Sequence, residues 1–253
     1  MKLALIFLNG YYDLRQPEFY KTEIEWGLDH DYPLICADGG IRLFHELNQS
    51  LGDRYSPNLL IGDLDSCGSL ADRLSASTMQ VVGEWVGKTD KDYTDGQLAV
   101  THAINECGAT GIIIYGGLPR PGEYETDHFL GNLKLMCFGR RIRQQSDSEN
   151  SKKKAHAWRA EMRDVFQTIH FVVSELNLTR RNDGLQRVSL HAEQANVRVK
   201  DSDNLRWSLA GLRVDPELGN ALRNEFLPNA DSAAVRLAPD SDPMYVIHNW
   251  YVT

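Results

Sequence analysis

Six aspartates come after short apolar runs or near glycines, positions from which a side chain can reach a bound ligand. They are Asp38, Asp63, Asp65, Asp92, Asp95 and Asp127. Carboxylates that come after buried strands and adjoin glycines are the arrangement that holds Mg²⁺ over a nucleotide polyphosphate. The residue types and their positions therefore predict phosphoryl-group chemistry.

The pair Asp63 and Asp65 follows the apolar run 59–61 directly. Two aspartates spaced in this way share one face of a strand, or point together into the crevice beyond the sheet after a turn. In either case they can share one metal ion. The alternative is that Asp65 and Ser66 cap a helix that begins near Ser69, because both residue types are favoured at that position.

A second group lies in the segment Lys91-Asp92-Tyr93-Thr94-Asp95, between an apolar run and a helical pattern. A lysine can neutralise a phosphate while the aspartates bind the metal. The alternative is a solvated loop in which Thr94 is the helix N-cap and the acidic residues favour the helix dipole.

Two glycine pairs mark turns where a ligand could approach the backbone. Gly39 follows Asp38, and Gly116-Gly117 precedes Asp127 and His128. His128 could act as a general base, or could simply lie on the surface of the first helical turn. Neither a G-x-G-x-x-G sequence nor a P-loop is present, which disfavours a dinucleotide-binding fold and a P-loop kinase.

The apolar runs predict the elements that position these side chains. Up to about residue 140, runs and amphipathic stretches alternate, which predicts an α/β domain with a mainly parallel sheet at residues 1–143. The polar segment 144–154 predicts a linker or insertion within residues 144–166. The five predicted strands of the first domain are 3–8, 33–37, 58–61, 79–85 and 111–115.

The pattern changes after a helical candidate at residues 155–164. Short alternating runs then predict an all-β, sandwich-like domain at residues 167–253. The sequence Asn182-Asp183-Gly184 predicts a hairpin turn within it.

Composition excludes several classes of protein. The formal charge of −8 on 253 residues argues against surfaces for nucleic acid or anionic membranes, which need clustered Lys and Arg. The four cysteines lack a C-x-x-C pair, which indicates reduced thiols in a cytoplasmic protein rather than a zinc site or a disulfide scaffold. The N-terminal apolar run is too short for a membrane span.

The order of these motifs resembles the thiamine pyrophosphokinase family. The matching segments are Ala37-Asp38-Gly39-Gly40, the IGDLDS sequence at 61–66, the KDYTD sequence at 91–95, and Asp127-His128 followed by Asn132. Weaker matches lie at 205–209 and 222–226.

The resemblance implies an α/β domain that binds Mg-ATP, a β-sandwich domain and a homodimer. It implies transfer of the diphosphate of ATP to thiamine, which gives thiamine diphosphate and AMP. The implied roles are Mg²⁺ binding by Asp63, Asp65 and Asp95; contacts to the polyphosphate and substrate by Asp38, Lys91, Asp92 and Asp127; and thiamine binding by Trp207 and Asn224. For Trp207, packing in the core is the alternative.

Two positions depart from the family pattern. Glu125 stands where the family usually has an arginine, so we expect Arg120 to supply the missing charge. Arg223 stands where a thiamine-contacting serine usually lies. These departures leave two alternatives open, namely a pyrophosphokinase for another alcohol such as a hydroxymethyl pterin, and a nucleotide- or thiamine-binding protein without turnover.

Overall fold

The computed structural model describes residues 1–52, 55–62, 67, 80–82, 93–119, 126–146 and 158–250. The chain divides into two compact units. The first unit comprises Met1–Ala157 and Met162–Val165, and the second comprises Trp158–Glu161 and Phe166–Thr253.

The first unit contains a parallel sheet with the strand order β5-β1-β2-β3-β4. Its strands are β1 (Leu3–Phe7), β2 (Leu34–Ala37), β3 (Leu59–Ile61), β4 (Gln80–Val82) and β5 (Gly111–Tyr115). Strands β1, β2, β3 and β5 are buried along their whole length, as expected for parallel strands covered on both faces. Strands are present at all five positions predicted from the apolar runs, and the fold class is confirmed; residues 79 and 83–85 of the fourth predicted strand lie outside the described part of the chain.

Four helices accompany this sheet in the described part of the unit. They are α1 (Pro17–Asp29), α2 (Ile41–Leu51), α3 (Asp95–Asn105) and α4 (Thr126–Ser146). Helix α3 begins with a capping box in which the Gln97 amide N–H donates to Thr94 Oγ1 and the Thr94 N–H donates to Gln97 Oε1. The prediction that Thr94 is an N-cap is therefore confirmed. None of the described helices is both long and apolar enough to cross a membrane.

The strand order reverses at β1. From β1 the chain adds β2, β3 and β4 on one side and then returns to place β5 on the other. Phe7, the last residue of β1, pairs with Cys36 of β2 and Tyr115 of β5. Strands β1 and β5 consequently end at the same level, and the segments that follow them flank the switch point where α/β sheets bind ligands.

The second unit is built from two antiparallel sheets. Its strands are β7 (Gln167–Val172), β8 (Glu175–Thr179), β9 (Gln186–His191), β10 (Val197–Asp203), β11 (Arg213–Val214), β12 (Asn224–Glu225), β13 (Ser232–Leu237) and β14 (Met244–Trp250). Strand β6 (Arg159–Asp164) has its first three residues in this unit and its last three in the first unit. One sheet has the order β12-β9-β14-β7 and the other β11-β10-β13-β8. Val188 and Val246 of the first sheet share one buried cluster with Val199 and Val235 of the second. The predicted sandwich is confirmed.

The helix predicted at residues 155–164 is wrong, because Arg159–Asp164 form strand β6. Charged residues alternate with Ala160 and Met162, and Arg159 Nε donates to Glu161 Oε1 at 2.6 Å, a pairing along one face of a strand. The helix formers in this segment are therefore overridden by packing. Residues 144–146 of the predicted linker belong to α4, and residues 147–157 lie outside the described part of the chain.

The hairpin predicted at Asn182-Asp183-Gly184 is also wrong. A turn is present, since the Gly184 N–H donates to Asn182 Oδ1 at 3.0 Å. However, β8 pairs with β13 whereas β9 pairs with β12 and β14, so the turn carries the chain from one sheet to the other. A local turn signal cannot distinguish these two connections.

Arg180 fastens this crossover to the neighbouring loop. Its Nε donates to the Ala230 carbonyl at 2.7 Å, Nη2 donates to Leu227 O at 2.9 Å, and Nη1 donates to Gly184 O at 3.4 Å. The guanidinium also lies over the ring of Phe226.

We expect Arg180→Ala to lower the free energy of unfolding by about 2 kcal/mol, because several carbonyls lose a charged donor at once. Urea unfolding measures this change. Arg213→Ala is the matched control, since Arg213 donates to one carbonyl, that of Ala195, and we expect it to cost less than about 1 kcal/mol. Equal losses for the two variants would contradict a special role for Arg180.

His248 is a buried histidine in the sandwich core. Its ring is 1% exposed, stacks on Phe226, and has Nε2 at 2.9 Å from Gln186 Oε1. Burial lowers the pKa of His248 to about 3, and the neighbouring positive charges of His170, Arg181 and Arg180 act in the same direction. The folded protein therefore keeps this imidazole neutral.

We expect acid to destabilise the second unit through His248. The unfolded chain binds a proton at this residue below a pKa of about 6.5, whereas the folded chain does so only near 3, so stability is full above 6.5 and falls as the pH drops. The slope is up to about 1.4 kcal/mol per pH unit. Urea midpoints between pH 7 and pH 5 should fall less for His248→Gln than for the unchanged protein; parallel curves would refute the assignment.

Candidate active site

A cavity of about 550 Å³ lies in the first unit at the carboxyl ends of β1, β2 and β5. Residues 8–10 follow β1, residue 38 follows β2, and residues 116–119 follow β5. The N-terminal turns of α3 and α4 complete the described wall, with residues 94–97 and six residues between 127 and 134. The cavity thus occupies the switch point of the sheet.

Five of the residues predicted to act in the site come together in this wall. They are Asp38, Asp95, Asp127, His128 and Asn132. Gly39 follows Asp38 and lies against Asn9, because a Cβ on Gly39 would stand 2.2 Å from Asn9 Oδ1. Asp63, Asp65, Lys91, Asp92 and Arg120 lie outside the described residues.

Asp38 combines burial with an unfavourable backbone conformation. It is 5% exposed and its φ is +46°, in the left-handed region that costs a residue with a Cβ about 1 kcal/mol. The Cys67 thiol donates to its Oδ1 at 3.5 Å. A buried carboxylate in strained backbone lowers stability, so its position in the cavity wall points to function.

The chain segments that follow β1 and β5 approach each other so closely that a side chain cannot fit between them. A Cβ on Gly10 would stand 1.8 Å from the carbonyl oxygen of Gly116, and Gly116 itself has a φ of +70°. The phenol of Tyr12 donates to Leu8 O at 2.7 Å and so fixes the turn that follows β1. The spacing therefore requires glycine at position 10, and the positive φ favours glycine at position 116.

Asn132 holds the far wall of the cavity. Its Nδ2 donates to the carbonyl oxygen of Gly117 at 3.1 Å, which ties α4 to the loop that follows β5. His128 is exposed in the first turn of α4 and lines the cavity. The surface position is therefore observed, and the role of His128 as a general base stays a prediction.

The donors in the wall suit a hard cation. Asp38, Asp95 and Asp127 line the same cavity, and carboxylate oxygens are the ligands that Mg²⁺ prefers. No group of three metal-ligating side chains occurs among the residues the structure describes. Two of the three predicted metal ligands, Asp63 and Asp65, are not among those residues.

Sequence reasoning missed Asn9, Gly10, Tyr12 and Lys134. Asn9 and Gly10 directly follow the first apolar run, which is the same pattern that singled out Asp38 and Gly39. Lys134 lies seven residues after Asp127, so helical spacing places both on one side of α4. Tyr12 had no signal, because its role depends on where β1 and β5 end.

Trp207 and Asn224 lie in the second unit. The Trp207 side chain is 52% exposed, which excludes packing in the core. The guanidinium of Arg206 lies 4.9 Å from the Trp207 ring centre. Asn224 is buried: its Nδ2 donates to Trp207 O at 2.7 Å, and its Oδ1 accepts from the Trp207 N–H at 3.1 Å. The Asn224 amide therefore fixes the backbone that presents the exposed indole.

Arg223, which precedes Asn224, has a φ of +60° and donates its N–H to Ser189 Oγ at 2.9 Å. The four cysteines are free thiols.

Comparison with known proteins identifies relatives for the first unit. The family described as "Thiamin pyrophosphokinase, catalytic domain" matches residues 28–146. The thiamine pyrophosphokinase of Saccharomyces cerevisiae is 44% identical over 66 residues. That alignment covers 25% of this chain and 19% of the yeast protein, so it spans about a fifth of the relative's length.

Solved structures share the fold over nearly the whole chain. Thiamine pyrophosphokinase from Bacillus subtilis superposes with a TM-score of 0.71 at 17% identity, over 99% of this chain and all of that one. The yeast enzyme gives a TM-score of 0.70 at 14% identity, over 99% of this chain and 86% of that one. Identities this low show the fold alone. Together with the motifs, the family match shows that residues 28–146 are similar to the catalytic domain of the thiamin pyrophosphokinase family.

Proposed function

We propose that this protein is a thiamine pyrophosphokinase, which transfers the diphosphate of ATP to the hydroxyethyl oxygen of thiamine and releases AMP. The observation that carries the proposal is the cavity at the switch point, where Asp38, Asp95 and Asp127 meet beside His128 and Asn132. The match of residues 28–146 to the catalytic domain of that family supports the choice of reaction.

In this proposal Mg²⁺ is bound by Asp63, Asp65 and Asp95. A metal held by carboxylates neutralises the polyphosphate and orients it, and diphosphoryl transfer requires mainly these two contributions. Asp38, Asp92 and Asp127 line the polyphosphate and substrate, while Lys91 and Arg120 add positive charge. Arg120 offsets the repulsion that Glu125 would exert on the phosphates.

Trp207 is the proposed platform for thiamine. Its indole is half exposed, and an aromatic face attracts a cationic thiazolium ring. Asn224 contributes to pyrimidine binding chiefly by fixing the Trp207 backbone, since both ends of its amide are engaged there. We further propose a homodimer in the cytoplasm, as the family resemblance and the free thiols suggest.

The direct experiment incubates the purified protein with ATP, Mg²⁺ and thiamine and measures AMP and thiamine diphosphate. We expect both products in equal amounts. If AMP release requires a hydroxymethyl pterin and is unaffected by thiamine, the protein is a pyrophosphokinase for that other alcohol. Tight binding of Mg-ATP in calorimetry, with no AMP formed from any alcohol, would favour a binding protein without turnover.

We expect Asp95→Asn to lower turnover and to raise the Mg²⁺ concentration for half-maximal activity at least about tenfold, because a neutral amide binds the cation more weakly. Activity measured across a Mg²⁺ titration tests this. Asp29→Asn, at the exposed end of α1, removes the same charge outside the cavity and should behave as the unchanged protein. An unaltered Mg²⁺ response in Asp95→Asn would break the assignment.

A further inference from the structure

The described wall of the cavity is rich in carboxylates and poor in permanent positive charge. Asp38, Asp95 and Asp127 line it. Among the described lining residues, Lys134 is the only lysine or arginine. A nucleoside triphosphate is itself a polyanion, so a wall of this composition repels it unless cations intervene. The position of Lys134 therefore matters for what the cavity can bind.

Helix geometry places Lys134 on the same face of α4 as Asp127. Asp127, Gly131 and Lys134 have the spacing i, i+4 and i+7, so they lie along one face of α4, and all three line the cavity. Their outer members are about 10 Å apart along the axis. Long helical side chains lean toward the N-terminus, which brings the Lys134 ammonium back over the turn that contains Gly131.

Gly131 leaves this face open. Within the part of the chain that the structure describes, a Cβ built on Gly131 would meet no heavy atom within 4 Å, so no described side chain covers Gly131 between Asp127 and Lys134. Lys134 is exposed, and its flexible side chain can follow a phosphate chain as a point charge. The face thus presents a clear path with an acidic residue near the helix start and an ammonium two turns further.

We propose that Lys134 binds the polyphosphate of the nucleotide and gives the cavity its preference for a nucleoside triphosphate over a monophosphate. This role deepens the proposed function and rests on it, because that function makes ATP the substrate and AMP the product. An ammonium that contacts only the outer phosphates favours entry of the triphosphate and does not retain the monophosphate.

The test measures binding by calorimetry with Mg²⁺ and without thiamine, separately for ATP and AMP. We expect Lys134→Gln to weaken ATP binding about tenfold, the loss expected for a charge-assisted hydrogen bond, and AMP binding less than about twofold. Lys134→Arg should keep most of the ATP affinity. Arg141→Gln removes one positive charge from the exposed surface of the same helix, outside the cavity wall, and should leave both affinities unchanged.

An unchanged affinity of Lys134→Gln for ATP, or equal losses for ATP and AMP, would overturn the role of Lys134. Thermal melting checks that the variants are folded, and Lys134→Met, which keeps the apolar stem, replaces Lys134→Gln if that variant does not fold. Calorimetry needs no turnover. If the unchanged protein binds ATP yet makes no thiamine diphosphate, the proposed function fails, and the ATP-to-AMP comparison still decides Lys134.

Discussion

The pairing of β1 with a parallel neighbour on each side is the constraint on which the candidate site depends. Phe7 pairs with Cys36 and Tyr115, so three strands end at one level and their following segments converge. Parallel strands present their carboxyl ends together, and the reversal of strand order opens a crevice between them. The cavity is therefore a consequence of topology before any side chain is considered.

That convergence limits which residues can follow the strands. The backbone after β1 touches the backbone after β5 at Gly10 and Gly116, and the backbone after β2 touches Asn9 at Gly39. Close approach brings backbone groups to the cavity surface, and beside it Asp38 has a left-handed conformation and a buried carboxylate. The surrounding sheet must offset these costs, which is consistent with strands that are buried throughout.

The strands of the first unit could be predicted because parallel strands buried on both faces are continuous apolar runs. The positions of three cavity residues could also be predicted, because each lies at an end of an element: Asp38 follows β2, and Asp95 and Asp127 lie in the first turns of α3 and α4. Tyr12 and Asn9 could not be ranked, because their importance arises from strand order, which local patterns do not encode. Strand β6, whose residues are divided between the two units, has the composition of a helix, and only pairing in a sheet reveals its alternation.

The acidic character of the cavity means that positively charged groups decide whether a polyanionic nucleotide can bind there. In the proposed function, oxygen ligands such as Asp95 would attract Mg²⁺, yet each carboxylate that remains uncompensated would repel the phosphates that the metal binds. A chain with a formal charge of −8 cannot draw a polyanion in through its overall field, so local positive groups must supply the attraction. Helix α4 combines the two requirements, because Asp127 lies at its start and Lys134 lies two turns later on the same open face. In the proposed function, this spacing lets the outer phosphates lie against the Lys134 ammonium and away from the Asp127 carboxylate.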